Sequence, residues 1–177
     1  SLGTATTRDQ IQKLFRSVHE IIFCYDGDQA GHKAAWRALE NALGELREGR
    51  QIRFLFLPDG EDPDSFVRKH RRAEVEDFLK DNAVDFIRFK TNLLLDEVGD
   101  DPIKKAGLIR EIVTSISLIP DAIARQVYVQ ECSTMLDISE QALMNELNKL
   151  LRKKFYKKTD SRHEEVPPEQ QDLQVEA

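Results

Sequence analysis

Cysteine is nearly missing from this 177-residue chain: only Cys24 and Cys132 occur, each inside an apolar run. That excludes a disulfide framework, leaves two buried thiols as the plain reading, and fits a reducing, cytoplasmic setting. Glycine and proline are scarce too, at 8 and 6, so long regular elements are expected. No apolar run approaches the ~18 residues that a bilayer span needs, and membrane association is not expected. The opening Ser1-Leu2-Gly3-Thr4-Ala5-Thr6-Thr7 has no apolar core, which argues against a signal peptide. Methionine first occurs at Met135, so the chain is expected to begin inside a longer gene. Against 26 Lys and Arg stand 32 Asp and Glu, a net charge of −6. Such a balance argues against a surface dominated by DNA-coating charge but leaves room for a local basic track.

What is present divides into three parts. Over 1–70 the pattern alternates helix and strand. Thr7 can cap a helix running through Val18, and Ile21-Ile22-Phe23-Cys24-Tyr25 is a fully apolar run closed by Asp26-Gly27, the pattern of a buried parallel strand. Gln29 to Leu46 reads as a helix and Ile52 to Leu57 as a second strand, stopped by Pro58-Asp59-Gly60. Pro63 opens a short helix to about His70, with Asp62 as N-cap. A right-handed crossover sets the two strands parallel in one sheet. Over 71–158 the period becomes helical: Ile109, Ile112, Val113 and Ile116 form one stripe, and Leu143, Leu147, Leu150 and Leu151 another. Asp101-Pro102 and Pro120-Asp121 mark helix starts, and Asp137 with Glu140 resembles a capping box, so a bundle of four or five helices is expected. Residues 159–177 are polar and aperiodic, a linker or disordered tail. The fold class is therefore α/β followed by all-α.

The chemistry concentrates at the strand ends. Asp26-Gly27-Asp28 leaves the first strand and Glu61-Asp62-Pro63-Asp64 follows the second, so parallel pairing brings Asp26, Asp28, Asp62 and Asp64 to the edge where open sheets bind ligands. Four carboxylates in one crevice repel unless a cation compensates, and Mg2+ or Mn2+ is the natural hard ion for oxygen donors. Such ions usually reach substrate phosphates. The plainer reading gives Asp28 and Asp62 to helix caps. An EF-hand fails, because its twelfth position is Arg37 where a Glu is needed. A haloacid-dehalogenase-type phosphatase, with Asp26 as nucleophile, stays as an alternative, although Ala30 stands where that group has Thr or Val. Gln29-Ala30-Gly31 is no phosphate-cradling glycine loop.

Secondary features carry weaker expectations. Lys33, close to the acidic edge, is a candidate phosphate contact; Arg37 on the same face reads as solvated. Arg68 and Lys69 open a basic run, Arg68-Lys69-His70-Arg71-Arg72, that suits either a phosphate track or the negative end of a helix dipole. Arg152-Lys153-Lys154 with Lys157-Lys158 invites the same dipole reading. Trp36 reads as core or subdomain interface, and neither cysteine has a companion at zinc-ligand spacing.

Three strings in order resemble bacterial DnaG-type DNA primases: Ser1-Leu2-Gly3-Thr4-Ala5, Tyr25-Asp26-Gly27-Asp28-Gln29-Ala30-Gly31-His32-Lys33-Ala34-Ala35, and Leu57-Pro58-Asp59-Gly60-Glu61-Asp62-Pro63-Asp64-Ser65-Phe66. The resemblance spans about Ser1 to Phe155. It implies the second half of a toprim fold followed by the helical subdomain of the RNA-polymerase core. It implies an enzyme as the parent protein, a nucleotidyltransferase that makes short RNA primers from ribonucleoside triphosphates on a single-stranded DNA template at the bacterial replication fork. By position, Asp26 and Asp28 become principal metal ligands and catalytic acids, with Asp62 and Asp64 supporting. The family's Glu-ending first strand, its zinc-bearing N-terminal module and its helicase-binding C-terminal domain are expected outside this sequence, so the chain alone is expected to make no primers. A toprim nuclease, or a non-catalytic helical module docking a replication partner over Ala83–Tyr156, are the remaining alternatives.

Overall fold

A computed structural model describes residues 6–26, 29–58 and 61–163. Helix α1 (Arg8–Leu14) starts where Thr7 accepts from the Gln10 N–H while the Gln10 side chain returns to the Thr7 N–H. This reciprocal pair satisfies two donors that a helix start leaves open. The helix stops short of Val18; hydrogen bonds three residues apart, Lys13 to Arg16 and Leu14 to Ser17, tighten the chain toward the first strand.

Strands β1 (Glu20–Tyr25) and β2 (Gln51–Phe56) pair in parallel, with Tyr25 opposite Phe56, as their apolar runs predict. Helix α2 (Gln29–Leu43) connects them. Side chains alternate across the sheet: Ile21, Phe23, Ile52 and Phe54 enter the main core, whereas Ile22, Cys24, Leu55 and Leu57 belong to a smaller cluster around Phe66. Both faces are thus covered, which explains why the strands read as continuous apolar runs rather than alternating ones. The other edge of β2 carries a single antiparallel bridge, with Phe54 and Val84 exchanging two N–H···O bonds of 2.8 Å.

Helix α3 (Pro63–Lys69) begins with Pro63 and the Asp62 cap; α4 (Arg72–Asn82) follows, adding Val75, Phe78 and Leu79 to the smaller cluster. Four more helices follow among the described residues: α5 (Phe86–Val98), α6 (Pro102–Ile116), α7 (Ala122–Leu136) and α8 (Glu140–His163). Asp85, Asp101 and Asp121 each accept from two backbone N–H groups at the starts of α5, α6 and α7. The two apolar stripes expected from the sequence converge, with Ile112, Val113, Ile116, Leu143 and Leu147 all buried.

Two expectations give way here. Asp137 does not begin α8; it ends α7 in the left-handed region at φ 53°, where Asp is better tolerated than most residues. Ser139 supplies the first carbonyl of α8, accepting from the Ala142 and Leu143 N–H groups, and Glu140 accepts instead from the Gln126 side chain. Residues 159–163, expected as linker, continue α8, with the Thr159 hydroxyl bonded to the Phe155 carbonyl. No glycine or proline interrupts this stretch, so extending an established helix costs little.

Candidate functional site

The acidic edge is built by the parallel register. Beyond the last strand pair, the Leu57 N–H donates to the Tyr25 carbonyl at 3.0 Å, so Asp26 and Leu57-Pro58 leave the sheet together. Just before α3 the Glu61 N–H donates to the Pro58 carbonyl, also at 3.0 Å. Pro63 lines the same groove as Cys24 and Tyr25, which sets the start of α3 beside the end of β1. Asp26 thus follows the last residue of β1, while Asp62 and Asp64 stand at the start of α3, after β2. Asp28 lies outside the described residues.

Each described carboxylate has its own surroundings. Asp26 is exposed. Asp62 accepts from the Ser65 N–H at 2.8 Å through Oδ1, while its own N–H donates to the Ser65 hydroxyl at 3.1 Å. The capping role is thus real, and Oδ2 has no hydrogen bond among the described residues. Asp64 forms an exposed ion pair with Arg68 at 3.0 Å. Glu61 accepts from Lys69 at 2.7 Å and from the Ser65 hydroxyl at 3.0 Å; those bonds hold its carboxyl below the usual range, that to Lys69 counting most.

This alters the electrostatic argument. Arg68 and Lys69 already offset Asp64 and Glu61, so side-chain cations supply part of the compensation assigned above to a metal. Among the described residues no three His, Cys, Asp or Glu side chains gather closely enough to hold an ion. The donor chemistry nevertheless fits a hard divalent ion, being carboxylate oxygen throughout. Arg68 and Lys69 reach carboxylates of their own segment rather than open solvent, whereas exposed Lys33, in the second turn of α2, has no ion pair among the described residues.

Several neighbours were not legible as site residues. His32 lays its ring against Phe56, centroids 4.3 Å apart, and so serves packing behind the acidic edge. Lys90 is 4% exposed and holds its ammonium 4.1 Å from the Trp36 ring centroid, joining α5 to α2. Burial pushes its pKa down, against the opposing pull of Glu111 and Glu40. Its one sequence signal is a cation inside the apolar string Phe86-Ile87-Arg88-Phe89-Lys90. Burial likewise pushes the Cys132 thiol up to about 11, with Glu131 adding to it, which leaves that sulfur protonated and inert near neutral pH. Cys24 is raised too, by burial first and by Asp26 second.

Residues 1–67 match a family described as Toprim-like, and residues 87–141 match the DnaB-helicase binding domain of primase. The second match falls on α5 to α7 and the start of α8. A helicase-binding family is therefore represented within this chain, where the sequence reading had placed that element outside it. A DNA primase of Pasteurella multocida is 45% identical over 148 residues, covering 83% of this chain and 25% of the relative. The chain thus spans about a quarter of that relative's length. Among solved structures, a DNA primase domain from Pseudomonas aeruginosa superposes with a TM-score of 0.70 at 38% identity, covering 85% of this chain and 46% of that one. The DnaG primase catalytic domain bound to ssDNA gives 0.67 at 44% identity, covering 76% and 43% respectively. An α/β half with a two-stranded parallel sheet, a helical half behind it, and relatives that run through both halves make this chain a segment of the bacterial DnaG-type DNA primase family.

Proposed function

We propose that the chain supplies the metal-bearing carboxylates and the helical part of a primase that synthesises short RNA primers on single-stranded DNA. The observation that supports this reading is the parallel register, Tyr25 opposite Phe56, from which Asp26 and Leu57-Pro58 leave the sheet side by side, with Asp62 opening the next helix. In this reading Asp26, Asp28, Asp62 and Asp64 hold Mg2+ or Mn2+. A divalent ion there supplies charge neutralisation on a triphosphate and activation of a primer 3′-hydroxyl.

The chain's own residues do the positioning. Asp62 serves two roles, because capping uses Oδ1 and leaves Oδ2 for a ligand. Ser65 fixes the turn through both its N–H and its hydroxyl. Lys33, without an ion pair among the described residues, offers its ammonium to nucleotide phosphates. Arg68 and Lys69 reach a phosphate only by exchanging Asp64 and Glu61 for it, so their contribution is to tune the edge's net charge. The helices matched by the helicase-binding family are the surface for a replicative helicase, and the cell compartment is the bacterial cytoplasm. Every relative named above is a primase, which favours this reading over the nuclease and phosphatase alternatives.

Manganese titration followed by electron paramagnetic resonance tests the edge. The wild-type chain is expected to bind Mn2+, and Asp26→Asn to bind it at least tenfold more weakly with its fold intact. Equal binding by both proteins would remove Asp26 from the ligand set. In a primer-synthesis assay with template and nucleotides, the chain alone is expected to give only background.

A further inference from the structure

The second basic run differs from the first at Arg152, Lys153 and Lys157, as its ion pairs show. Around α3 and α4, Arg68 pairs with Asp64, Lys69 with Glu61 and Arg72 with Glu76. From Leu147 to Thr159 the sequence holds six cations and no carboxylate. Lys149 pairs with Glu146, but Arg152, Lys153 and Lys157 form no ion pair among the described residues. This occurs in a chain of net charge −6.

The dipole explanation does not reach this run. Helix α8 continues to His163, ten residues past Lys153, and the dipole acts only within the last turn. The surroundings add more positive charge. Lys154 donates to the carbonyl and hydroxyl of Ser117, both at 3.0 Å, at the end of α6. Arg125 donates to the carbonyls of Ile119 and Pro120 at 2.7 and 3.1 Å, and its charge helps push the Lys154 pKa down, after burial. Two cations thus brace one turn through its carbonyls, and the acid of that turn, Asp121, is engaged as the cap of α7.

Beside that turn runs a groove of about 420 Å³ between α6 and α8, whose lining includes Thr114, Leu150, Lys153, Tyr156 and Lys157. Lys153 and Lys157 stand four residues apart, about 6 Å along the axis, on one side of the helix. Phe155 and Tyr156 are 70% and 68% exposed, an unusual placement for two large rings unless something covers them. Cations aligned along a groove with exposed rings among them are the pattern of a sequence-tolerant strand-binding track: phosphates meet the ammonium groups and bases stack on the rings. An acidic protein surface would use the charge and leave the rings unexplained.

We propose that this face of α8 is a track for single-stranded nucleic acid, with phosphates on Lys153 and Lys157 and a base stacked on Tyr156. The track is remote in sequence from the acidic edge and needs no metal, so its failure would leave the proposed function standing.

Fluorescence anisotropy of the full chain with a 5′-fluorescein-labelled 20-mer of deoxythymidylate, in EDTA and across a salt series, tests it. The wild-type chain is expected to bind. Lys153→Glu with Lys157→Glu is expected to weaken binding at least tenfold and to flatten the plot of log K against log salt by about 1.4, two phosphate contacts at ~0.7 each. Both side chains are exposed, and an unchanged circular dichroism spectrum checks that the fold survives. Tyr156→Ala is expected to weaken binding about fivefold or more, and Tyr156→Phe to restore it, since stacking needs the ring and not the hydroxyl. Wild-type affinity in the folded double variant would overturn the proposal. So would binding of an oligoglutamate peptide by a chain that leaves the oligonucleotide free, which would assign the face to an acidic protein.

Discussion

Asp62 lies where folding and chemistry overlap, and two substitutions separate them. Asp62→Ala removes the 2.8 Å bond from the Ser65 N–H and the charge together. Losing an N-cap costs about 1 kcal/mol, within a range of about 0.5–2. The lower half of that range applies, because the Ser65 hydroxyl is also held by Glu61 and the capping pair is only half dismantled. In a domain of this size about 1 kcal/mol lowers Tm by about 2–4 °C. Asp62→Asn keeps an oxygen that caps nearly as well and loses only the charge, so its cost should stay below about 0.5 kcal/mol. Manganese affinity should fall in both variants, because both remove the anionic oxygen. Urea unfolding and manganese titration on the same preparations read the two effects independently. If Asn destabilises as much as Ala, the cap reasoning is wrong; if Asn binds manganese like the wild type, Asp62 is no ligand.

Three further outcomes follow from the packing. Glu45, 3% exposed, accepts from Arg8 at 2.7 Å and Gln12 at 2.9 Å, so Glu45→Ala should cost about 2 kcal/mol in urea unfolding. Although burial opposes them, bonds from Gln12 and Arg8 hold its carboxyl below 4.5; the stabilisation is complete above that pH, fades as pH falls through the folded value, and should vanish from the acid limb of a stability–pH curve in Glu45→Gln. Phe89→Ala should cost about 3–5 kcal/mol by thermal or urea unfolding, because the ring is 1% exposed and lies 4.5 Å from Phe54. Lys90→Met should leave stability within about 1 kcal/mol of the wild type, relief of a buried cation offsetting the lost ring contact, while altering Trp36 fluorescence.

How much could be read from the sequence depended on the range of the interaction. The strands were legible because Ile21–Tyr25 and Ile52–Leu57 are short apolar runs closed by turn residues, and parallel pairing follows from the helix between them. The caps at Thr7, Asp62, Asp101 and Asp121 were legible because a cap needs only residues two or three positions away. Asp137 misled because Asp serves both a helix start and a left-handed helix end, and which role it takes depends on where α7 must turn. The neutralisation of Glu61 was hidden in a different way. Arg68 and Asp64 stand at the local i, i+4 spacing, but Lys69 lies eight residues from Glu61 and meets it only once α3 has formed between them. Lys90 on Trp36 joins two halves of the chain, and no local pattern encodes that meeting.

That last class of contact decides how the acidic edge relates to the helices. Among the described residues the sheet has only two strands, too few for independent stability, and it is completed from the helical side. Val84 extends the β2 edge by one bridge, and α5 follows at once, stacking Phe89 on Phe54 and setting its ring 5.5 Å from Phe56. One contiguous core then runs from Ile11 through Phe23, Phe54 and Phe89 to Leu147. Because Phe56 also touches His32, a chain of ring contacts passes from α5 through Phe56 to the first turn of α2. A ligand or partner that shifts α5 is therefore expected to act on the position of α2 through packed rings. The helical region matched by the helicase-binding family is in this sense part of the support of the carboxylates, and a change at Phe89 should be felt at both.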